Sequence, residues 1–149
     1  MSSKNEGYID KNLILRVKPE KKEVIVINKK HIEEIKDYFV KDRLHSFYFF
    51  SFLLVTGFRK GEAVNAHWED VNLKERILSV RNTKKNRIDK IPLLNETLEL
   101  LKLIGIKENG KIFNYKCAGG FDATWNTMRK RLGFKYKIHE IRKTCGTIL

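Results

Sequence analysis

No stretch of this 149-residue sequence stays apolar long enough to cross a bilayer. The longest such run, F-Y-F-F-S-F-L-L-V at 47–55, falls far short of the roughly 18 residues that a spanning helix needs. Cysteine is nearly absent. Cys117 and Cys145 form no C-x-x-C pair and no metal spacing, and they read as reduced, cytosolic residues. The histidines at 31, 45, 67 and 139 are scattered. H-E-I-R-K at 139–143 starts as a zinc-binding H-E-x-x-H does, but Lys143 stands where the second ligand would be. A cation there repels a metal, so no metal site is expected. Residues Met1 to Asp10 are polar and lack the apolar core of a secretory signal. Repeats and low-complexity tracts are missing too.

Acidic charge is the remaining shortage. Asp and Glu number 18 against 31 Lys and Arg, a formal net charge of +13 and a pI near 9.8. Such an excess favours a polyanionic partner. Nucleic acid leads, because its phosphates release counter-ions to Lys and Arg; a membrane surface is the weaker candidate. A hydrophobic content of 42% beside 33% charged residues is that of an ordinary globular protein and argues against global disorder. The length fits one domain able to bury about two-thirds of its unfolded surface.

Residues 1–27 are basic and irregular, with a short β-prone stretch E-V-I-V-I at 23–27, and read as a linker leading into the domain. Asn28 is placed to cap a helix carrying Ile32, Ile35 and Phe39 at three- and four-residue spacing. A second helix, from about Asp42 to Thr56 with Gly57 as its stop, is so rich in aromatics and leucines that it should be the most buried element. A short helix from about Lys60 to His67 follows. The period then changes: V-N-L-K-E-R-I-L-S-V (71–80), with a turn near Lys74-Glu75, and R-I-D-K-I-P-L (87–93) predict a three-stranded antiparallel meander with N-T-K-K-N (82–86) as its tip. Asn95 is expected to cap a helix closed by Gly105. K-I-F at 111–113 reads as a short buried strand or turn. Gly120 to Leu132 predicts a cationic amphipathic helix with Phe121, Trp125 and Met128 inward and Arg129, Lys130 and Arg131 near its end. A last helix starts near His139. The fold class is α+β, mainly α, with one small antiparallel sheet.

Three constellations carry chemistry. In T-G-F-R-K-G-E (56–62), Arg59 emerges from the turn after a buried helix, with Glu62 one turn on to orient it. Read alone, this is also a helix-capping turn with a solvated Arg59–Glu62 pair. The hairpin tip presents Lys84, Lys85 and Arg87, suited to a DNA groove or to protonating a leaving oxygen, or simply a basic exposed loop. In H-E-I-R-K-T (139–144), His139 and Arg142 share one face of a first helical turn beside free N–H groups, a ready phosphate site or a solvated basic face. Together they supply what phosphoryl transfer needs when side chains alone neutralise the transition state. Two planar guanidiniums can each offer paired hydrogen bonds to the non-bridging oxygens as charge develops there.

At this point the sequence resembles the catalytic domain of a tyrosine recombinase of the phage integrase family, from about Asn28 to Leu149. V-I-N-K-K-H-I-E-E-I resembles the first helix of that domain and F-L-L-V-T-G-F-R-K-G-E-A-V its first arginine motif. H-W-E-D-V-N resembles the Trp-Asp turn that follows, and T-K-K-N-R-I-D-K-I-P-L the lysine hairpin. H-E-I-R-K-T resembles the His-x-x-Arg box, with Lys143 where a histidine is common. The resemblance implies a helical DNA breaking-rejoining core that cuts double-stranded DNA and rejoins it through a 3′-phosphotyrosyl intermediate, without metal, ATP or other cofactor. Arg59 and Arg142 would clamp the phosphate, and His139 would assist in proton transfer. Lys84 would protonate the departing 5′-oxygen, with Lys85 a competing choice. Glu62 would support Arg59. Lys60, Lys85, Arg87, Arg129, Lys130 and Lys143 would contact DNA.

The pattern also predicts an absence. In the family the nucleophilic tyrosine lies after the His-x-x-Arg box, whereas Tyr8, Tyr38, Tyr48, Tyr115 and Tyr136 all precede it. Tyr38 and Tyr48 are expected in the core, and Tyr136 lies on the wrong side of His139. Residues 28–149 therefore read as a partial catalytic domain, monomeric alone and inactive in cleavage. The parent protein would be a site-specific recombinase, bacterial or phage-encoded, tetrameric on DNA, cytoplasmic and nucleoid-associated. The competing reading is a non-catalytic DNA-binding module with the same fold. No R-G-F-G-F-V-like or G-x-x-G signature is placed for an RNA-binding fold.

Overall fold

The computed structural model describes residues 25–82 and 86–148. Helix α1, Lys29–Asp42, begins where the Asn28 side chain accepts the Lys30 N–H at 2.8 Å, the cap expected from the sequence. Its Ile32, Ile35 and Phe39 are buried. Arg43, extended at φ −151° and ψ 114°, breaks the chain before helix α2, Leu44–Thr56. In α2 every residue from Phe49 to Leu54 is buried, so its burial runs round the whole circumference instead of along one stripe. That pattern makes α2 the central rod, packed against α1 and three later helices. Its aromatics knit the core: Phe50 stacks on Trp125 at 5.8 Å between centroids, Phe49 meets Phe113 at 5.0 Å and Phe121 at 4.8 Å, and Phe52 meets Phe58 at 5.3 Å. Truncating one such buried Phe to Ala costs about 3–5 kcal/mol.

Gly57 ends α2 in the left-handed region at φ 74°, its N–H bonded to Leu53 O at 2.9 Å. Helix α3 is shorter than the sequence suggests, Lys60–Val64. The chain leaves it at Asn65 because Ala66 and His67 are drawn into pairing with residues 111–112. His67 and Lys111 form an antiparallel bridge, and Ile112 N–H reaches Ala66 O at 3.0 Å.

The meander forms as expected, with β1 Val71–Asn72, β2 Ile77–Asn82 and β3 Arg87–Pro92 in the order β1-β2-β3, all antiparallel. The register sets Leu78 opposite Val71 and Ile91, and Val80 opposite Asp89. Leu78 and Val80 point into the core.

Helix α4, Asn95–Ile104, closes at Gly105 but is not capped by Asn95. Leu94 holds the cap position, while Asn95 is the first helical residue and accepts Arg76 Nη1 at 3.3 Å. Residues 118–121 form a 3-10 turn before helix α5, Asp122–Leu132. Helix α6, His139–Ile148, packs on α2. Its Thr144, fully buried, donates to Glu140 O at 2.7 Å and accepts the Ile27 N–H at 2.9 Å. No described helix is long and apolar enough to cross a membrane.

Candidate active site

An open cleft of about 530 Å³ lies between the α2–α3 turn, the start of α5 and the start of α6. Arg59, Lys60, Arg129, Lys137 and Arg142 line it together with His139, against one carboxylate, Asp122. Leu53, Phe58, Trp125, Ile138 and Ile141 supply its apolar floor. Such a cationic concavity on a low-dielectric base concentrates positive potential where an anion would sit.

One hydrogen bond joins two segments far apart in sequence. Arg142 Nε donates to Gly57 O at 2.7 Å, across a separation of 85 residues. Gly57 suits this role because its left-handed conformation ends α2 at no steric cost. A Cβ there would also touch Cys145 Sγ at 3.4 Å. Two residues further on, Arg59 is exposed, and its guanidinium has no hydrogen bond or ion pair among the described residues. One edge of Arg142 is thus committed to the fold, which leaves its terminal nitrogens for a ligand.

Glu62 acts on Arg59 differently from the expected pairing of side chains. Its Oε1 accepts the Arg59 backbone N–H at 2.9 Å, closing the first turn of α3 and fixing where the Arg59 side chain starts. The first turn of α6 is also less open than expected. Glu140, 5% exposed, takes the Lys137 N–H at 2.6 Å. The Glu140 and Ile141 N–H groups bond back to Lys137 O and Ile138 O at 3.0 and 2.9 Å. Side chains rather than these amides are left to hold an anion.

The segment 134–138, which delivers His139, is held from two sides at Tyr136. Its carbonyl accepts Trp125 Nε1 at 2.9 Å and Arg129 Nη1 at 3.2 Å. Arg129 Nη2 is engaged by Asn126 at 2.8 Å, so this arginine braces the cleft wall. The Tyr136 hydroxyl turns the other way, to His31 Nδ1 at 2.6 Å, in a separate recess of about 300 Å³. It does not line the arginine cleft.

The other tyrosines within the described residues are no nearer. Tyr38 and Tyr48 pack against the core. Tyr115 lies against Ser46, and burial pushes its phenol pKa up. Lys84 and Lys85 lie outside the described residues. Arg87, at the start of β3, pairs with Asp89 at 3.1 Å, away from the cleft lining, and exposed Lys130 and Lys143 stand outside it too. Lys60 is in the cleft and bound to Asp122. Asp122, Asn126 and Lys137 were not singled out by sequence reasoning; the one available signal was Asp122 as an acid at a helix start. Among the described residues no three His, Cys, Asp or Glu side chains gather as a metal site.

Known proteins share this fold. A Shufflon-specific DNA recombinase from Escherichia coli is 26% identical over 106 residues, which are 70% of this chain and 27% of that protein. The fold is that of lambda integrase, solved as a tetramer bound to a Holliday junction, with a TM-score of 0.68 and 19% identity over 96% of this chain and 48% of that one. It is likewise that of the Tn1549 transposon integrase in complex with circular intermediate DNA, with a TM-score of 0.66 and 18% identity over 93% and 56%. XerA recombinase gives 0.64 and 20% over 88% and 51%. The chain spans about half the length of these structures and little more than a quarter of the curated relative. Residues 14–149 match the phage integrase family throughout, and the chain belongs to that family.

Proposed function

We propose that the protein to which these residues belong is a site-specific tyrosine recombinase acting on double-stranded DNA, and that residues 28–149 are most of its catalytic domain. The observation that carries this reading is the bond from Arg142 to Gly57 O, which sets Arg142 beside the Arg59 turn on one open cleft with His139. In this reading the two guanidiniums straddle the scissile phosphate and neutralise its non-bridging oxygens as phosphorus becomes five-coordinate. Losing one such donor typically costs about 100- to 1000-fold in rate. His139 holds the phosphate and exchanges a proton with the attacking or leaving oxygen. Lys84, or Lys85 if the hairpin shifts by one residue, protonates the departing 5′-oxygen. Lys60, Arg87, Lys130 and Lys143 track the backbone. The attacking tyrosine is none of the five in this chain, a reading supported by Tyr136 directing its hydroxyl to His31. The assembly on DNA is a tetramer, as in the lambda integrase complex, while the 149-residue chain alone is monomeric.

The test is a nicked suicide duplex carrying the element's own site, analysed on SDS gels. The 149-residue chain should give no covalent band, and a version extended through the downstream tyrosine should give one. A covalent adduct from the short chain would place the nucleophile within it. If the extended version binds the site and yet never cleaves, the chain is a DNA-binding module with the integrase fold.

A further inference from the structure

A surface built only to attract phosphate would not carry a carboxylate, and this cleft does. Asp122, the first residue of α5, lines it together with Arg59, Lys60 and Arg142, and its Oδ1 accepts the Lys60 ammonium at 2.5 Å. Both side chains reach solvent, at 26% and 45% exposure for Lys60 and Asp122. Neither satisfies any other hydrogen-bonding group among the described residues, so the pair stitches no part of the core together. Exposed pairs of this kind hold weakly and yield to a stronger competitor. Lys60 and Arg59, the residue assigned to the phosphate, line the same cleft.

We propose that Asp122 is a displaceable counter-ion built into the DNA cleft. In the free protein it neutralises Lys60 and relieves the mutual repulsion of the cleft cations. When a duplex docks, a phosphate takes Lys60 from it, and Asp122 is left facing the polyanion. The carboxylate therefore lowers DNA affinity. It also moderates the salt response, because the cation it recruits once freed offsets the counter-ion that Lys60 releases from DNA. The inference rests on the cleft being the phosphate site.

The experiment is fluorescence anisotropy of the 149-residue chain with a labelled duplex of about 20 base pairs, over a salt series centred near 100 mM. Asp122→Asn should bind about three- to fivefold more tightly near the middle of the series. Its plot of log affinity against log salt should steepen by about 0.9. Adding Lys60→Gln to that variant should remove the gain. Asp122→Ser, which keeps a favourable helix-start side chain, repeats the measurement if the amide variant fails to fold. Unchanged or weaker binding by a folded charge-neutral variant overturns the proposal, as does a gain that persists in the Lys60→Gln background. A flat salt response of the unaltered chain would instead refute the phosphate cleft itself.

Discussion

Thr144→Val replaces a fully buried hydroxyl with a methyl of nearly the same shape, and it isolates one hydrogen bond on which the placement of α6 depends. The Thr144 Oγ accepts the N–H of Ile27, itself 2% exposed, at 2.9 Å and donates to Glu140 O at 2.7 Å. In the valine variant the Glu140 carbonyl loses only a second, local bond. The Ile27 N–H is left in the core without a partner, at a cost of about 1–3 kcal/mol. For a domain of this size that corresponds to a fall in Tm of about 4–8 °C per 2 kcal/mol. Thr144→Ser is the control. It keeps the hydroxyl and deletes one buried methyl, which costs about 1 kcal/mol. Urea titrations followed by circular dichroism at 25 °C give both values with the same denatured reference. The expected order of stability is wild type, then serine, then valine. A valine variant as stable as the wild type, or more stable than the serine variant, would show that this bond does not anchor Ile27 to α6.

Arg59→Ala, in the form of the protein that carries the nucleophile, should lower cleavage of a suicide substrate by at least about 100-fold. Its equilibrium DNA affinity should change far less, because many other cations contact the backbone; parallel collapse of binding and cleavage would make Arg59 a docking residue. His45 gives a pH dependence. Burial holds its imidazole below the usual 6.5, so the unfolded chain binds the proton more tightly than the folded one. Stability is therefore full above about 6.5 and falls as pH drops from there through the lowered folded value, then levels. His45 Nε2 accepts the Asn114 N–H at 3.3 Å, and His45→Gln keeps an acceptor there while removing the titration. Urea midpoints from about pH 7 to 5 should decline less in that variant than in the wild type.

Periodicity and punctuation made most of the fold legible. Ile32, Ile35 and Phe39 mark the buried face of α1, the Asn28 cap and the Gly57 and Gly105 stops lie where their chemistry demands, and the meander has the expected order. What local pattern could not show was competition from distant partners. The α3 helix ends early because residues 111–112 claim Ala66 and His67, and Asn95 surrenders its cap role while bonding Arg76. The site divides in the same way. Arg59, His139 and Arg142 announced themselves by motif and by residue type, and the structure brings them to one cleft. The partners that hold them did not, because a main-chain carbonyl such as Gly57 O leaves no trace in composition. The bracing of Tyr136 O by Trp125 and Arg129 was invisible for the same reason.

The bond from Arg142 to Gly57 O also bears on how such a protein can change. Between these two residues lie α3, the sheet, α4, the 105–121 connection and α5. Length can be added to or taken from the connections within that excursion without altering the reach from Arg142 to the Gly57 turn, because that reach is referenced to one peptide group and not to the path of the chain. Insertions after α4, which carries none of the residues assigned to the site, would reshape the surface while leaving that contact in place. A domain wired in this way can vary its surface by loop variation alone.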